Sequence, residues 1–187
     1  DTDIITIPAV SSAKYPVLGA GTFLFNQLSV GAGASLTFSG PTVTVTNSLV
    51  VAGALGFSGA ETLYLYGNAD FSGGSIVPAS CSIVAVGSAA QTLDFGGLAL
   101  NILTVSKSGG SLSFGAHGFS AVSFNCTATC ALGMTFAAGE EVAVDKLNLL
   151  GAIGGVPSLT LSSSVPGTAW RLVVAADGAN VGGVVVS

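Results

Sequence analysis

Short segments in which apolar and polar residues alternate recur along the whole chain. Clear examples are Ser35–Phe38, Thr42–Thr46, Thr62–Tyr66 and Ser158–Leu161. A two-residue period is typical of a β-strand with one buried face. No long window shows a convincing helical period, and each Gly inside a helix costs about 1 kcal/mol. The pattern therefore predicts an all-β chain.

A four-residue pattern, small-Leu-small-Phe, repeats along the sequence at nearly constant spacing. The interval from Phe38 to Phe57 equals the interval from Phe95 to Phe114. Phe136 follows Phe114 at a slightly longer interval, in a variant with Met for Leu. Spacing of about 20 residues, with short strands and small-residue corners, predicts one coil of a β-solenoid. We expect a single solenoid domain over residues 1–187, with three short strands per coil and roughly nine coils.

An antiparallel sandwich is the competing fold, because it also has short strands and frequent turns. Its hairpins are signalled by Asn-Gly or Asp-Gly pairs. Only Asp177-Gly178 fits that signal. The scarcity of hairpin turns favours the solenoid.

Composition excludes several classes of function. Charged residues make up 7% of the 187 residues, against about 25% in ordinary soluble domains. Four Lys and Arg and a net charge of −5 do not suit a nucleic-acid partner. Half of the residues are hydrophobic, which excludes a disordered chain. Gly and Ser keep every apolar run well short of about 18 residues, so no membrane-spanning helix is predicted.

The ionisable residues are few and form no convincing catalytic or metal-binding motif. Glu140 and Glu141 are adjacent, and adjacent strand residues point to opposite faces. We interpret them as a solvated corner, with a calcium site shared with Asp145 as the alternative. His117 stands alone in a turn-like segment. We predict no catalytic residue, no cofactor and no metal, and hence no enzyme.

The cysteines leave two alternatives open. Three cysteines, Cys81, Cys126 and Cys130, leave at least one outside any intramolecular disulfide. Residues four apart in an extended strand are ~13 Å apart, too far for a bond, although a turn can bring them together. Cys126 and Cys130 are therefore either a local disulfide or buried thiols.

Threonines alternate regularly in one strand, at Thr42, Thr44 and Thr46. Such rows occur on ice-binding β-solenoids, which need matching rows on successive coils. The sequence shows no such repetition, so we interpret the threonines as an outward polar face.

Several segments resemble the repeats of large bacterial extracellular β-helix proteins. The resemblance implies a right-handed parallel β-helix on a surface or secreted protein, often adhesive or structural. In such proteins the strand at 181–187 would run on into further polar residues. The resembling segments are 15–18, 27–37, 87–93, 103–110, 134–144 and 159–170.

The expected function follows from a low-charge column whose first and last strands have no evident cap. Uncapped strand edges pair readily with another chain. We expect a secreted, extracellular or cell-surface protein that polymerises with copies of itself into a fibre. The alternative is an adhesin or glycan-binding stalk segment of a larger surface protein, with cell-surface glycans as partners; a carbohydrate-active enzyme is a distant third. The predicted assembly residues are Ile4, Ile5, Ile7, Val184, Val185 and Val186.

Overall fold

The structure, a computed structural model, describes residues 3–11, 14–151, 159–175 and 178–187. Strands, turns, bends and irregular segments make up these ranges, which contain no helix. No candidate membrane-crossing helix therefore exists in this part of the chain. Asp177, the first residue of the Asp177-Gly178 pair that fits a hairpin turn, lies outside the described residues.

Twenty strands are present in the described ranges. Their bounds are β1 Ile4–Ile7, β2 Val17–Leu18, β3 Gly21–Val30, β4 Ser35–Phe38, β5 Pro41–Val51, β6 Ala54–Phe57, β7 Thr62–Leu65, β8 Asn68–Asp70, β9 Ser75–Val77, β10 Ser82–Gly87, β11 Gln91–Asp94, β12 Ala99–Lys107, β13 Ser111–Phe114, β14 Phe119–Thr127, β15 Leu132–Phe136, β16 Glu141–Leu150, β17 Leu159–Ser163, β18 Arg171–Val174, β19 Ala179–Gly182 and β20 Val184–Val186.

Every strand pairing is parallel and joins a strand to one in the next turn, so the strands stack in three columns. The first column contains the starts of β3 and β5, then β7, β10, the ends of β12, β14 and β16, and β19. The second contains β1, the ends of β3 and β5, then β8, β11, β13, β15, β17 and β20. The third contains β2, β4, β6 and β9, then the starts of β12, β14 and β16, and β18.

These columns form a parallel β-solenoid of about 8 turns with roughly 21 residues per turn. The predicted all-β solenoid fold is confirmed. Each turn is slightly longer than the predicted 20 or so residues, so there is about one turn fewer than the predicted nine. The difference arises because paired residues in the later turns are further apart along the chain. Ser82 of β10 pairs with Ile102 of β12, whereas Leu132 of β15 pairs with the more distant Leu159 of β17.

Five strands are longer than the sequence pattern indicated, because each bends around a corner without ending. β5 spans 11 residues; its first part pairs with β7 and its last part with β8. The alternation of buried and exposed side chains changes phase at Thr46 and Asn47, where the strand bends. In the turns that contain β3, β5, β12, β14 and β16, the chain therefore passes one corner within a continuous strand.

The small-Leu-small-Phe pattern marks two different columns. The four residues of the pattern in β4 pair one to one with those in β6, so Phe38 pairs with Phe57 in the third column. β13 and β15 match in the same way in the second column. The segment at 92–95 is out of phase, because Leu93, not Phe95, pairs with Phe114. The prediction that Phe95 and Phe114 occupy equivalent positions is wrong, since this turn is longer than the interval between the two Phe residues.

The core consists of inward rows that run from turn to turn. One row of the first column starts with the partly buried Phe23 and ends with Ala179 on the last turn. Its six intermediate members are all buried: Val43, Leu63, Ile83, Leu103, Phe124 and Leu147. Each side chain contacts equivalent residues above and below, so one continuous apolar core stabilises the column.

The corner between the first and second columns requires close backbone approach. Gly67 follows β7 and stacks against the bend of β5. A Cβ atom at Gly67 would overlap the Asn47 carbonyl group, which is backbone and cannot rotate away. Only glycine fits there without displacing the turn below.

We expect Gly67→Ala to lower the free energy of unfolding by about 1–3 kcal/mol, because the corner must open to admit the methyl group. Urea denaturation followed by circular dichroism measures this change. Gly133→Ala is the matched control, since a Cβ there meets nothing within 4 Å. Equal denaturation midpoints for the two variants would show that the corner is not tightly packed.

Candidate functional site

Residues of the last two described turns line an open groove of about 780 Å³. We call it the terminal groove. Trp170 lies in its wall and stacks on Phe136 of the turn below, with ring centroids 4.1 Å apart and planes at 15°. Most of the lining is apolar, and it comes from the second column, the third column and the loop between them. The lining residues are Leu161, Ser162, Ser163, Pro166, Gly167, Thr168, Ala169, Trp170, Leu172, Val186 and Ser187.

Stacked aromatic rings lead through the interior toward this groove. Phe71 stacks on Phe95 with centroids 5.5 Å apart, and Phe114 stacks on Phe136 at 4.8 Å. Trp170 continues the second stack, and it is only partly buried because the groove lies beside it. The terminal groove is thus the position where an interior row stops with apolar surface still accessible.

The predicted assembly residues lie at the two ends of the solenoid. Within the described ranges β1 pairs only with β3, and Ile4 is 64% exposed. At the opposite end β20 pairs only with β17, and Val186 is 69% exposed. Ile7 and Val184 are partly buried against the core. Both end strands belong to the second column, which the sequence did not reveal.

A cluster that the sequence analysis missed lies at the corner between the second and third columns. We call this cluster of Asp70, Asp94, His117 and Glu140 the acidic corner. Nδ1 of His117 lies 2.9 and 3.1 Å from the two carboxylate oxygens of Asp94. Asp94 pairs with Asp70 of the preceding turn, and Glu140 accepts a hydrogen bond from the Gly118 N–H. Each of these groups therefore lies within one turn of the next.

Hydrogen bonding changes the pKa values of Asp94 and His117, the pair at the centre of the acidic corner. Desolvation opposes ionisation of Asp94, but hydrogen bonds from the N–H groups of Ala116 and Gly96 and from His117 outweigh it and lower the Asp94 pKa. The hydrogen bond to Asp94 raises the pKa of His117, with smaller contributions from Glu140 and Asp70. The pair holds two adjacent turns together at a solvent-exposed edge. Within the described residues no group of three or more His, Cys, Asp and Glu side chains is placed to hold a metal ion.

The three acids considered for calcium binding do not converge. Glu140 bonds to Gly118 of the turn below, whereas Glu141 forms an ion pair with Arg171 of the turn above, at 3.0 Å. Asp145 lies further along the same strand, at the bend of β16. The interpretation of Glu140 and Glu141 as an exposed corner agrees with these positions.

All three cysteines are free thiols in the structure. Of the two alternatives, the Cys126–Cys130 disulfide is therefore absent from the structure. Cys126 occupies the inward row of the first column between Val105 and Leu149. Burial raises the pKa of its thiol to about 11, and burial together with the Glu61 charge raises that of Cys81 to about 12. Both thiols are therefore protonated and unreactive at neutral pH.

Glu61 is a buried carboxylate, 3% exposed, in the loop between β6 and β7. Its Oε1 accepts hydrogen bonds from the Gly40 N–H at 2.9 Å and the Ser58 hydroxyl at 3.0 Å. Oε2 accepts one from the Gly59 N–H at 2.8 Å. Desolvation alone would raise the pKa, but these hydrogen bonds outweigh it and lower the pKa of Glu61 to about 2. The carboxylate joins two adjacent turns at the corner between the third and first columns.

We expect Glu61→Gln to lower the free energy of unfolding at pH 7 by on the order of 2–3 kcal/mol, because hydrogen bonds to an ionised acceptor are lost. The folded pKa of about 2 lies below the ordinary value of 4.5, so ionised Glu61 stabilises the fold. This contribution is complete above about pH 4.5 and disappears as the pH falls toward 2.

Urea unfolding between pH 7 and pH 2 measures this effect, which the variant should largely lack. Glu141→Gln is the control, because its ion pair with Arg171 is exposed and contributes little. A Glu61→Gln curve parallel to the wild-type curve over this pH range would contradict the assignment.

A hydroxyl row that the sequence analysis also missed runs along the outside of the first column. Strand pairing aligns Thr22 with Thr42, Thr42 with Thr62 and Thr62 with Ser82. Only the Thr42 position has such partners, because Thr44 pairs with Leu24 and with Tyr64, so the row of three threonines is not repeated on the neighbouring turns, as expected. The constant interval between these paired positions is the signal that could have identified this row. Tyr64 lies in the adjacent row, paired with Thr44.

Comparison of the chain with protein-family models, curated proteins and solved structures finds no match. The resemblance to bacterial extracellular β-helix proteins therefore stays a prediction that rests on the sequence segments alone.

Proposed function

We propose that the chain is a structural, non-enzymatic subunit of an extracellular or cell-surface fibre that grows by end-to-end stacking of solenoids. The supporting observation is the position of exposed apolar side chains. Thirteen large hydrophobic residues are exposed in the described part of the chain, and nine of them lie within residues 4–24 or 165–186. The nine are Ile4, Ile5, Val10, Val17, Leu24, Val165, Val181, Val185 and Val186.

Strand edges coincide with this apolar surface at both ends. The outer edges of β1 and β20 have no strand partner among the described residues. An unpaired parallel edge binds another strand through its free N–H and C=O groups. The free edges of β1 and β20 lie at opposite ends of the second column. A contact between β1 of one copy and β20 of another is therefore head-to-tail. A head-to-tail contact that does not close propagates into a filament.

The sides of the solenoid oppose this association very little. With charged residues at 7% of the chain, repulsion between neighbouring copies is weak. In this proposal the edges of β1 and β20 form the specific contacts between copies. The sides of the solenoid carry little charge and allow copies to lie side by side.

We expect the purified chain to form filaments that negative-stain electron microscopy detects, and Val186→Asp to abolish them. A carboxylate at this position places a charge beside the terminal groove and at the edge of β20, where desolvation is costly. Sedimentation velocity should then report a monomer in place of large assemblies.

Val122→Asp is the matched control, because Val122 is 46% exposed on the side of the solenoid, far from either end in sequence. It should leave filaments intact. Monomeric wild-type protein at high concentration, or equal loss of filaments in both variants, would refute assembly through the ends.

A second candidate function, a glycan-binding stalk segment, is favoured by the outer face of the first column. From β3 to β14 every outward residue of this column is uncharged, and hydroxyl groups flank the neighbouring Tyr64 and Tyr66. Tyr66 is 48% exposed. A flat surface of this kind suits a neutral polysaccharide, because aromatic rings pack on the apolar faces of sugars and hydroxyl groups form hydrogen bonds with their edges.

For this second function we expect a monomer that is retained on insoluble cellulose or chitin, with at least tenfold weaker retention for Tyr66→Ala. A pull-down assay with the washed polysaccharide measures the bound fraction. Val122→Ala, on a different part of the surface, should bind like the wild type. Equal binding by both variants would exclude the tyrosine face as the binding surface.

A further inference from the structure

We propose that the side chains of Lys107 and Gln91 join in an intramolecular amide cross-link, in which the lysine amine replaces the carboxamide nitrogen and ammonia is released. Lys107 ends β12 and pairs with Gly87 of the turn below, and Gln91 follows in that same turn as the first residue of β11. The bond ties two neighbouring turns together at the corner between the first and second columns. The inference is independent of end-to-end assembly, because both residues lie in the middle of the solenoid.

The two reacting groups are in contact and shielded from solvent. Each of the two side chains is 3% exposed. Nζ of Lys107 lies 3.5 Å from Oε1 of Gln91, and it donates a second hydrogen bond to the Ala89 carbonyl at 2.8 Å. The carbonyl carbon of Gln91 is one C=O bond, ~1.2 Å, away from Oε1, so a small shift of the flexible lysine stem brings the amine onto it. Holding the groups in contact converts a bimolecular reaction into an effectively unimolecular one.

The carboxamide of Gln91 is held in one orientation. Its Nε2 donates hydrogen bonds to the carbonyl oxygen of Leu65, at 2.9 Å, and to that of Gly67. Because only the nitrogen of a carboxamide donates, these two acceptors fix Oε1 on the side of Lys107. The same two carbonyl oxygens accept hydrogen bonds from the ammonium ion that Nε2 becomes. The leaving group therefore has polar partners as it departs.

The surroundings of Lys107 favour the reactive form of the amine. No carboxylate forms an ion pair with Lys107 among the described residues. A buried ammonium group without such a partner is unfavourable. Burial lowers the pKa of Lys107, and the charge of the nearby Cys130 thiol opposes this to a smaller extent. A lower pKa increases the fraction of neutral amine, which is the nucleophilic form. Formation of the amide then removes the buried charge altogether.

The reaction is an acyl transfer that needs no oxidant or reductant. The neutral amine of Lys107 attacks Cδ of Gln91, so that a C–N bond forms and the electron pair of the C=O bond moves onto Oε1. Return of this electron pair breaks the Cδ–Nε2 bond, and a proton from Nζ moves to Nε2. The ammonia that leaves also takes up the proton that the lysine ammonium gave up. One ammonium group and one carboxamide thus become one secondary amide and one ammonium ion.

Trypsin digestion tests the cross-link, because trypsin does not cleave after a lysine whose amine is part of an amide. Folded wild-type protein, incubated at mildly alkaline pH and then unfolded and digested, should give a peptide spanning 15–146 as the main product. Its mass should be lower than the sequence mass by one ammonia, and tandem mass spectrometry should place the link between Gln91 and Lys107. The four possible cleavage sites follow Lys14, Lys107, Lys146 and Arg171.

Two variants and an unfolded sample serve as controls. Lys107→Arg keeps the positive charge, but a guanidinium group is always protonated, so the full sequence mass and cleavage after position 107 should return. Lys146→Arg, at an exposed position, should still give the uncleaved peptide. Wild-type chain kept in urea during the incubation should lose no ammonia, because the two side chains meet only in the folded protein.

Complete cleavage after Lys107 in folded wild-type protein would overturn the proposal. An equal loss of ammonia from Lys107→Arg, or from the chain kept in urea, would overturn it too, because the ammonia would then come from another residue. None of these outcomes bears on filament formation, so the cross-link and the proposed function are tested separately.

Discussion

Every other feature of this protein depends on one constraint, the parallel pairing of each strand with its equivalent in the next turn. Because pairing is parallel and in register, a side chain that points inward in one turn lies against inward side chains above and below. Buried apolar rows and stacked rings follow from this alignment. The same alignment forces backbones together at the corners, so Gly67 cannot carry a side chain. Packing and turn chemistry are therefore two consequences of a single geometric requirement.

Polar groups buried inside such a column need hydrogen-bond partners, and neighbouring turns provide them here. Glu61 receives hydrogen bonds from its own turn and from Gly40 of the turn below. Buried Lys107 donates to the Ala89 carbonyl at 2.8 Å, and burial lowers its pKa. These bonds add little net energy individually, but leaving any of the groups unpaired would be costly. Polar residues thus reinforce the register that the apolar rows establish.

The sequence was sufficient to predict the fold class, since alternation and a near-constant spacing both derive from strand stacking. It was insufficient for features that depend on the length of individual turns. The turn that pairs Asp70 with Asp94 is longer than the turn that pairs Thr62 with Ser82. A uniform period therefore misplaces the acidic corner and the phase of Phe95. Bends inside long strands such as β5 were also hidden, because no Gly or Pro marks them.

The ends of the solenoid obey the same physics as its interior, with the neighbouring turn removed. A middle turn such as the one containing Leu63 has both faces covered, and Leu63 is fully buried. Val181 occupies an inward row of the first column in the last described turn, and it is 53% exposed. The free energy gained by burying a turn is available again at such a surface. A parallel column therefore carries at each exposed end the interactions that hold its own turns together.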